Sequence, residues 1–131
     1  MTLLDTNALL WWLDGGGELS KVARGEIGLA RKSGEIYVSA ISAWELALLV
    51  KKKRVVIEMS MEDWVRELTE LEFVKVIPVD AETAVESVNL PGEFHKDPAD
   101  RIIVATARRL GAKLVTKDKK ILGYDHVQAV W

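Results

Sequence analysis

Acidic side chains recur where the predicted strands of this sequence end. An apolar run, Thr2–Leu4, leads directly into Asp5, and Asp118 lies two residues beyond another run, Lys113–Thr116. Glu45 falls in the first turns of the helix predicted after the second strand. Carboxylates gathered at one place resist ionisation unless a cation lies between them. Oxygen ligands of this kind are typical of a site for a hard divalent cation such as Mg²⁺ or Mn²⁺.

A further pair of acids opens a predicted helix. Asp97-Pro98 is a strong helix start, because aspartate caps helices and proline suits the first helical position. Asp100 follows three residues later, so the two carboxylates can project from one helical face. The positive end of the helix dipole lowers the cost of gathering anions there. The candidate metal ligands are therefore Asp5, Glu45, Asp97, Asp100 and Asp118.

Each acid also has an ordinary structural explanation. Asp5 could cap the helix that follows it, and Glu45 could be the third-position glutamate of a capping box with Ser42. The pair that opens the later helix could cap that helix, and Asp118 could nucleate a turn. For each acid taken alone, capping or turn formation is the commoner role. Convergence of several acids at one sheet edge is what favours a cation.

Alternating strand and helix patterns must position these acids. Short apolar runs rich in β-branched residues predict five strands, at Thr2–Leu4, Ile36–Val38, Val74–Val79, Lys113–Thr116 and Val127–Val130. Because the runs are apolar on both faces, they predict a mostly parallel sheet covered by helices on both sides. The expected fold class is α/β, a three-layer α/β/α sandwich with a central five-stranded sheet. Ligands of such folds bind beyond the carboxyl ends of the strands.

Capping residues give the expected helix boundaries. Ser20, Ser60 and Asp80 are predicted N-caps, and Gly111 is a predicted C-terminal glycine. No repeat, linker or low-complexity segment interrupts the pattern. A chain of 131 residues with 49% hydrophobic residues is expected to form one domain over residues 1–131.

Composition excludes several kinds of site. The chain has no cysteine, which excludes disulfides, thiol catalysis and cysteine-bound zinc. It has two histidines, His95 and His126, too few for a multi-histidine metal site. His95 lies in a loop near prolines, and we interpret it as structural rather than catalytic.

Membrane insertion and secretion are not expected either. The N-terminus lacks the basic and apolar regions of a secretory signal. The longest strongly apolar stretch, Ile36–Val50, is interrupted by Glu45 and is shorter than the roughly 20 residues that span a bilayer. A cytoplasmic protein is the expectation.

Four segments that carry these acids resemble the PIN-domain family, specifically its VapC toxin ribonucleases. Leu4–Leu13 is similar to the opening motif of the family, and Val38–Ala47 is similar to its second motif. Leu90–Ala107 resembles the third motif and Leu114–Asp118 the fourth. The segments occur in the family's order and span nearly the whole chain.

The resemblance implies roles for residues at matching positions. The acids that match the family's catalytic, metal-binding residues are Asp5, Glu45, Asp100 and Asp118. Asp97 is a fifth acid that either binds metal or caps its helix. Thr6, Asn7 and Thr116 match polar residues that orient the acids. The implied reaction is hydrolysis of RNA phosphodiester bonds with one or two Mg²⁺ or Mn²⁺ ions, giving 5′-phosphate and 3′-hydroxyl products.

The resemblance also implies partners. They are an RNA substrate, a small antitoxin protein and a second copy of the chain in a homodimer, as in the toxin of a type II toxin–antitoxin pair. The cationic side chains nearest the acids are possible RNA contacts: Arg101, Lys117, Lys119 and Lys120. Trp11 and Trp12 are adjacent and cannot both face inward on one helix, so one of them is expected at a surface groove. Trp44 and Trp64 are expected in the core.

Two other functions stay open at this point. A haloacid-type phosphatase or receiver domain also places an aspartate after its first strand, but Asn7 stands where such a phosphatase needs a second acid. A non-catalytic module that binds RNA or a partner is the other alternative, and the full set of acids counts against it. The net charge of −2 does not exclude RNA. Two bound divalent cations would make the formal total positive where phosphate docks.

Overall fold

Five parallel strands form the centre of the computed structural model, which describes all 131 residues. The strands are β1 (Thr2–Leu4), β2 (Ile36–Ser39), β3 (Val74–Ile77), β4 (Lys113–Val115) and β5 (Ala129–Val130), in the spatial order β3-β2-β1-β4-β5. Every neighbouring pair is parallel, so the predicted mostly parallel sheet is entirely parallel. β1 lies in the middle of the sheet, so Asp5, the residue that follows β1, lies at the centre of the carboxyl edge.

Seven helices connect and cover the strands. They are α1 (Thr6–Leu13), α2 (Lys21–Ser33), α3 (Ala40–Lys51), α4 (Met61–Glu70), α5 (Ala81–Val88), α6 (Pro98–Leu110) and α7 (Lys119–Leu122). The predicted caps Ser20, Ser60 and Asp80 each accept a backbone N–H in the first turn of their helix. Gly111 ends α6 with a φ of 64°, a left-handed conformation that favours glycine.

Two apolar clusters on opposite faces of the sheet make the three layers. Leu3 and its neighbour on β4, Leu114, belong to one cluster, which α6 covers through Ile103. Leu4 and Val115, the next residues along the same strands, belong to the other cluster, beneath α1, α2 and α4. Successive side chains of a strand point to opposite faces, which explains this division. The predicted α/β/α fold class is confirmed.

Some predicted boundaries are wrong by one or two residues. β3 ends at Ile77 rather than Val79, where Pro78 has no N–H to donate to the ladder. β5 covers Ala129–Val130 alone, and β4 ends at Val115. The four-residue helix α7 was not predicted, since so short a helix has no detectable periodicity.

The tryptophans divide between core and surface differently from the prediction. Trp64 is buried as expected, but the side chain of Trp44 is 58% exposed because it lies on the outer face of α3. Trp12 packs edge-on against Phe73, and Trp11 packs against Trp131 at the other side of α1. No helix is long and apolar enough to cross a membrane.

Candidate active site

Asp5 is the most buried acid at the carboxyl edge of the sheet, with 8% of its surface exposed. Its Oδ1 accepts the backbone N–H of Ala8 at 2.8 Å and so caps α1, as one of its two interpretations predicted. Its Oδ2 accepts the hydroxyl of Thr116 at 2.5 Å. Burial raises the pKa of Asp5, the two hydrogen bonds oppose the rise, and the charge of Asp118 adds to it. Hydrogen bonds from α1 and from the residue that follows β4 therefore fix the Asp5 carboxylate.

Thr116 links Asp5 to a second acid. While its hydroxyl donates to Asp5, the same oxygen accepts the backbone N–H of Asp118 at 3.0 Å. Asp118 in turn caps α7 by accepting the N–H of Lys120 at 2.8 Å. One buried hydroxyl thus fixes the distance between the ends of β1 and β4. Thr116 does not line the cleft, but its hydroxyl contacts both acids of this pair.

Glu45 does not form the capping box that was one of its predicted roles. α3 begins directly at the end of β2, so Ser39 is its N-cap and Ser42 lies inside the helix. Glu45 Oε1 instead lies 2.5 Å from Thr6 Oγ1, which is also 2.9 Å from Ser42 Oγ. A threonine hydroxyl has one proton, so Thr6 donates to the carboxylate and accepts from Ser42. Burial raises the pKa of Glu45, the Thr6 hydrogen bond opposes it, and the charges of Asp97 and Asp5 add to it.

Asp100 has the most strongly shifted pKa of the site. Burial, followed by the charges of Asp97, Asp118, Glu45 and Asp5, raises the pKa of Asp100 from its ordinary value of 3.8 to about 7. No hydrogen bond supports its carboxylate. Asp97 N-caps α6 by accepting the backbone N–H of Asp100 at 2.9 Å, which is the capping alternative of its two predicted roles.

An open cleft of about 540 Å³ brings these groups together. Its lining residues are Asp5, Thr6, Asn7, Trp11, Glu45, Leu49, Asp100, Lys117 and Asp118. Four of the five predicted acids line the cleft, and Asp97 does not. Of the predicted RNA contacts, Lys117 lines it with its ammonium 5.7 Å from the ring of Trp11. Trp11 is thus the member of the tryptophan pair that faces this groove.

The hydrogen bonds of Arg101, a predicted RNA contact, give it a structural role. Its guanidinium donates to four backbone carbonyls, those of Ser87 at 2.7 Å, Phe94 at 3.0 Å, His95 at 3.1 Å and Val88 at 3.2 Å. These bonds tie the loop before α6 to the end of α5. Four of the five N–H donors of Arg101 are thus used by backbone, and its contact with RNA stays a prediction.

His95 is a site residue that the sequence analysis set aside. Its Nε2 lies 3.1 Å from Asp100 Oδ2, without the alignment of a hydrogen bond, and it has no other polar partner although it is shielded from solvent. The ligand atoms of His95, Asp100 and Asp118 all lie within 4.8 Å of one another. Phe94 packs on the imidazole at a centroid distance of 4.4 Å. In the sequence, only the short distance of His95 from Asp97 and Asp100 indicates that it lies near the site. A loop residue has no hydrophobic periodicity from which its orientation could be predicted.

These donors fit a hard divalent cation. Burial and neighbouring carboxylates raise the pKa of Asp5, Glu45 and Asp100, so a positive charge between them would relieve the repulsion. Carboxylate oxygens suit Mg²⁺ and Mn²⁺, and the nearby imidazole of His95 adds one nitrogen donor. Asp5 and Glu45 are oriented by hydroxyl groups, as metal ligands commonly are.

Comparison with known proteins agrees with this geometry. The profile of the PIN-domain family matches residues 2–127. The chain is 35% identical to Ribonuclease VapC22 of Mycobacterium tuberculosis over 128 residues, which are 98% of this chain and 95% of that protein.

Solved structures show the same fold. A toxin–antitoxin complex from Klebsiella pneumoniae superposes with a TM-score of 0.67 at 24% identity, covering 100% of this chain and 97% of that one. VapBC2 from Rickettsia felis, bound to a DNA fragment from its promoter, gives a TM-score of 0.71 at 18% identity, covering 98% and 96%.

Proposed function

The chain belongs to the PIN-domain family and is of its VapC type, and from this premise we propose that it is a toxin ribonuclease that hydrolyses RNA with a divalent cation. One observation carries the proposal. Four carboxylates from four separate elements, namely the end of β1, α3, α6 and the cap of α7, line one cleft. Capping does not explain this set, because Glu45 and Asp100 cap no helix and yet line the same cleft.

The residues that would hold the cation are Asp5, Glu45, Asp100 and Asp118. One or two Mg²⁺ or Mn²⁺ ions held there would supply Lewis acidity for the attack of water on the phosphodiester. Thr6 and Thr116 orient two of the carboxylates through hydrogen bonds to them. Asp97 supports the site as the cap of α6.

Other groups of the cleft act on the substrate. Lys117 and Asn7 line the same opening and are placed to receive a phosphate oxygen. In the proposed reaction, a water oxygen bonds to phosphorus as the P–O3′ bond breaks, leaving a 5′-phosphate and a 3′-hydroxyl. The proton lost by the attacking water is accepted by a carboxylate at the mouth of the cleft, and the departing O3′ takes a proton from a solvent water of the open cleft, to which the carboxylate's proton finally returns. No side chain of the protein becomes covalently attached to the substrate.

We also propose the partners of a type II toxin. A small antitoxin would bind this chain, as the toxin–antitoxin complexes of similar fold suggest. The exposed side chain of Trp44 is one apolar surface available to such a partner. The chain would act as a homodimer in the cytoplasm, where its RNA substrate is found.

A cleavage assay on total RNA tests the proposed activity. We expect cleavage with Mn²⁺ or Mg²⁺, its loss with chelator, and 5′-phosphate ends on mapping. Asp5→Asn and Asp100→Asn should each abolish cleavage, and each variant should unfold at a temperature no lower than that of the control variant Asp63→Asn. Asp63→Asn is the matched control, because Asp63 lies on α4 away from the cleft.

Two results would contradict the proposal. Retained cleavage in both cleft variants would remove these acids from the reaction. Tight RNA binding without turnover under Mn²⁺ would instead support the non-catalytic binding module.

A further inference from the structure

A second open cavity, of about 510 Å³, adjoins the catalytic cleft and has no role in the hydrolysis proposed above. His95 lines this second cavity while its Nε2 touches Asp100 of the cleft. Lys119 and Lys120, which line the other wall, directly follow Asp118. The two cavities therefore adjoin each other at His95 and at the Asp118–Lys119 segment. Its volume lies within the range of about 300–1,000 Å³ found for small-ligand sites.

Aromatic rings form one side of the second cavity. Phe94 packs on His95 at 4.4 Å and on Tyr124 at 4.8 Å, and Tyr124 packs on His126 at 5.4 Å between ring centroids. Tyr124 is buried, and its hydroxyl donates to the carbonyl of Pro91. The result is a continuous row of rings anchored in the core, ending at the exposed imidazole of His126.

Backbone contacts hold this exposed ring in place. Arg108 donates to the carbonyl of His126. Gly92 has a φ of 65°, and a Cβ at this position would lie 3.4 Å from His126 Nε2. A side chain at this position would be in van der Waals contact with the ring, and the positive φ favours glycine. An imidazole has few rotatable bonds, so little conformational freedom is lost when a flat group stacks on it.

Both cationic and anionic side chains line the second cavity. Lys119 and Lys120 are exposed, and neither forms an ion pair with an acid of the chain. Glu93 and Asp125 also line the cavity. The two acids repel a free anion, but their oxygens can accept the amino groups on the edge of a nucleobase.

We propose that the second cavity is a nucleotide subsite, which binds one unpaired base of the RNA strand and the phosphate attached to it. The base stacks on the aromatic row at His126 and Phe94, and Lys119 and Lys120 bind the phosphate. This proposal rests on the proposed ribonuclease function and adds the place where one nucleotide beside the cut is bound. A base within a duplex is stacked between its neighbours, so only an unpaired base can enter the subsite.

Binding measurements test the subsite apart from the chemistry. The probe is a fluorescent single-stranded RNA that contains the mapped cleavage site, and a duplex of the same sequence is its comparison. The protein is the Asp5→Asn variant, which prevents cleavage. We expect tighter binding of the single strand, and His126→Ala should weaken it at least about fivefold, as loss of one stacked base does.

Salt dependence tests the lysines. Each lysine that neutralises a phosphate of single-stranded RNA contributes about 0.7 to the slope of log K against log salt concentration. Lys119→Gln and Lys120→Gln should therefore each lower that slope by about 0.7, while Lys32→Gln, at the remote end of α2, should leave it unchanged.

Cleavage by the otherwise wild-type protein separates this proposal from the proposed function. His126→Ala and Glu93→Gln should raise KM, leave kcat nearly unchanged and relax the base preference at one position beside the cut. Unchanged KM, salt slope and cleavage map in all four variants, with cleavage intact, would overturn the subsite alone. Absence of RNA cleavage and binding by the wild-type protein would overturn the ribonuclease function, and the subsite with it.

Discussion

Asp5 and Asp100 lie in the same cleft but are supported in opposite ways. Asp5 is buried at the end of the central strand, and both of its oxygens accept hydrogen bonds. Asp100 lies in the first turn of α6, faces the other acids, and its carboxylate accepts no hydrogen bond. The scaffold therefore fixes Asp5 in advance, whereas the negative charge of Asp100 depends on a cation. Hydrogen bonds position Asp5, whereas a cation must compensate the charge of Asp100.

The largest effect is expected when Asp100, the acid without hydrogen bonds, is replaced. Asp100→Asn removes a cation ligand and should lower kcat/KM by about a thousandfold, which corresponds to about 4 kcal/mol of transition-state stabilisation. The same substitution removes an unsupported negative charge, so it should raise the unfolding temperature of the metal-free protein at pH 8. Asp5→Asn should lower activity similarly with a smaller gain, because the relief of charge is offset by loss of the hydrogen bond that Asp5 accepts from Thr116. Thermal unfolding without metal is the measurement, and equal shifts in both variants would contradict the contrast.

The next effect concerns the hydroxyl that supports Asp5. Thr116→Val keeps the side-chain shape but removes the hydrogen bonds to Asp5 and from the Asp118 backbone. We expect Mn²⁺ affinity, measured by calorimetry, to fall about 10- to 100-fold, as it does when partners that orient metal ligands are lost. Thr106→Val is the control, since Thr106 is equally buried in α6 and bonds only within its helix. Equal losses in the two variants would mean that the effect is one of packing.

A smaller effect is expected at His95, the only imidazole beside Asp100. His95→Gln should reduce Mn²⁺ affinity by about tenfold and reduce Mg²⁺ affinity less, because a nitrogen donor favours the transition metal. Titration of each ion monitored by tryptophan fluorescence gives the ratio of affinities. A ratio that stays constant would exclude an imidazole–metal contact and leave His95 as a packing residue.

The smallest effect is the pH dependence of stability. The folded pKa of Asp100, about 7, lies above its ordinary value of 3.8, so the folded state holds this proton more tightly than the unfolded state. Its contribution is fully present below about pH 4 and is lost as pH rises through 7. The raised pKa values of Asp5 and Glu45 act in the same direction.

Denaturant titrations of the metal-free protein between pH 5 and 8 measure this change. Stability should fall with rising pH, less steeply in Asp100→Asn, and Mg²⁺ should restore it at pH 8. A stability that rises over this range without metal would show that the repulsion among the acids is not significant.

Features that depend on neighbouring residues in sequence were predictable. The caps at Ser20, Ser60, Asp80 and Gly111 follow from local hydrogen bonding and backbone preference. The parallel sheet follows from its apolar strands, and its carboxyl edge is where the acids were expected.

Features decided by tertiary contacts were not predictable in the same way. The sequence around Glu45 is compatible with a capping box. In the structure α3 begins at Ala40, so Glu45 lies beyond the first turn and accepts a hydrogen bond from Thr6. Arg101 carries the charge of an RNA contact, but it donates to four carbonyls, two at the end of α5 and two in the loop before α6. His95 acquires its contact with Asp100 because these bonds fold its loop back. Which apolar residues stay exposed, as Trp44 does, is likewise a property of the assembled layers.

The Thr116 hydroxyl has a consequence for synthesis of the protein. It joins residues separated by 111 positions, so a nascent chain on the ribosome has no complete acid cluster until β4 and α7 have left the exit tunnel. Contacts at such separation form late, because the chain must first close a long loop. A chain in which β4 has not yet paired with β1 therefore lacks the hydroxyl that links Asp5 to Asp118.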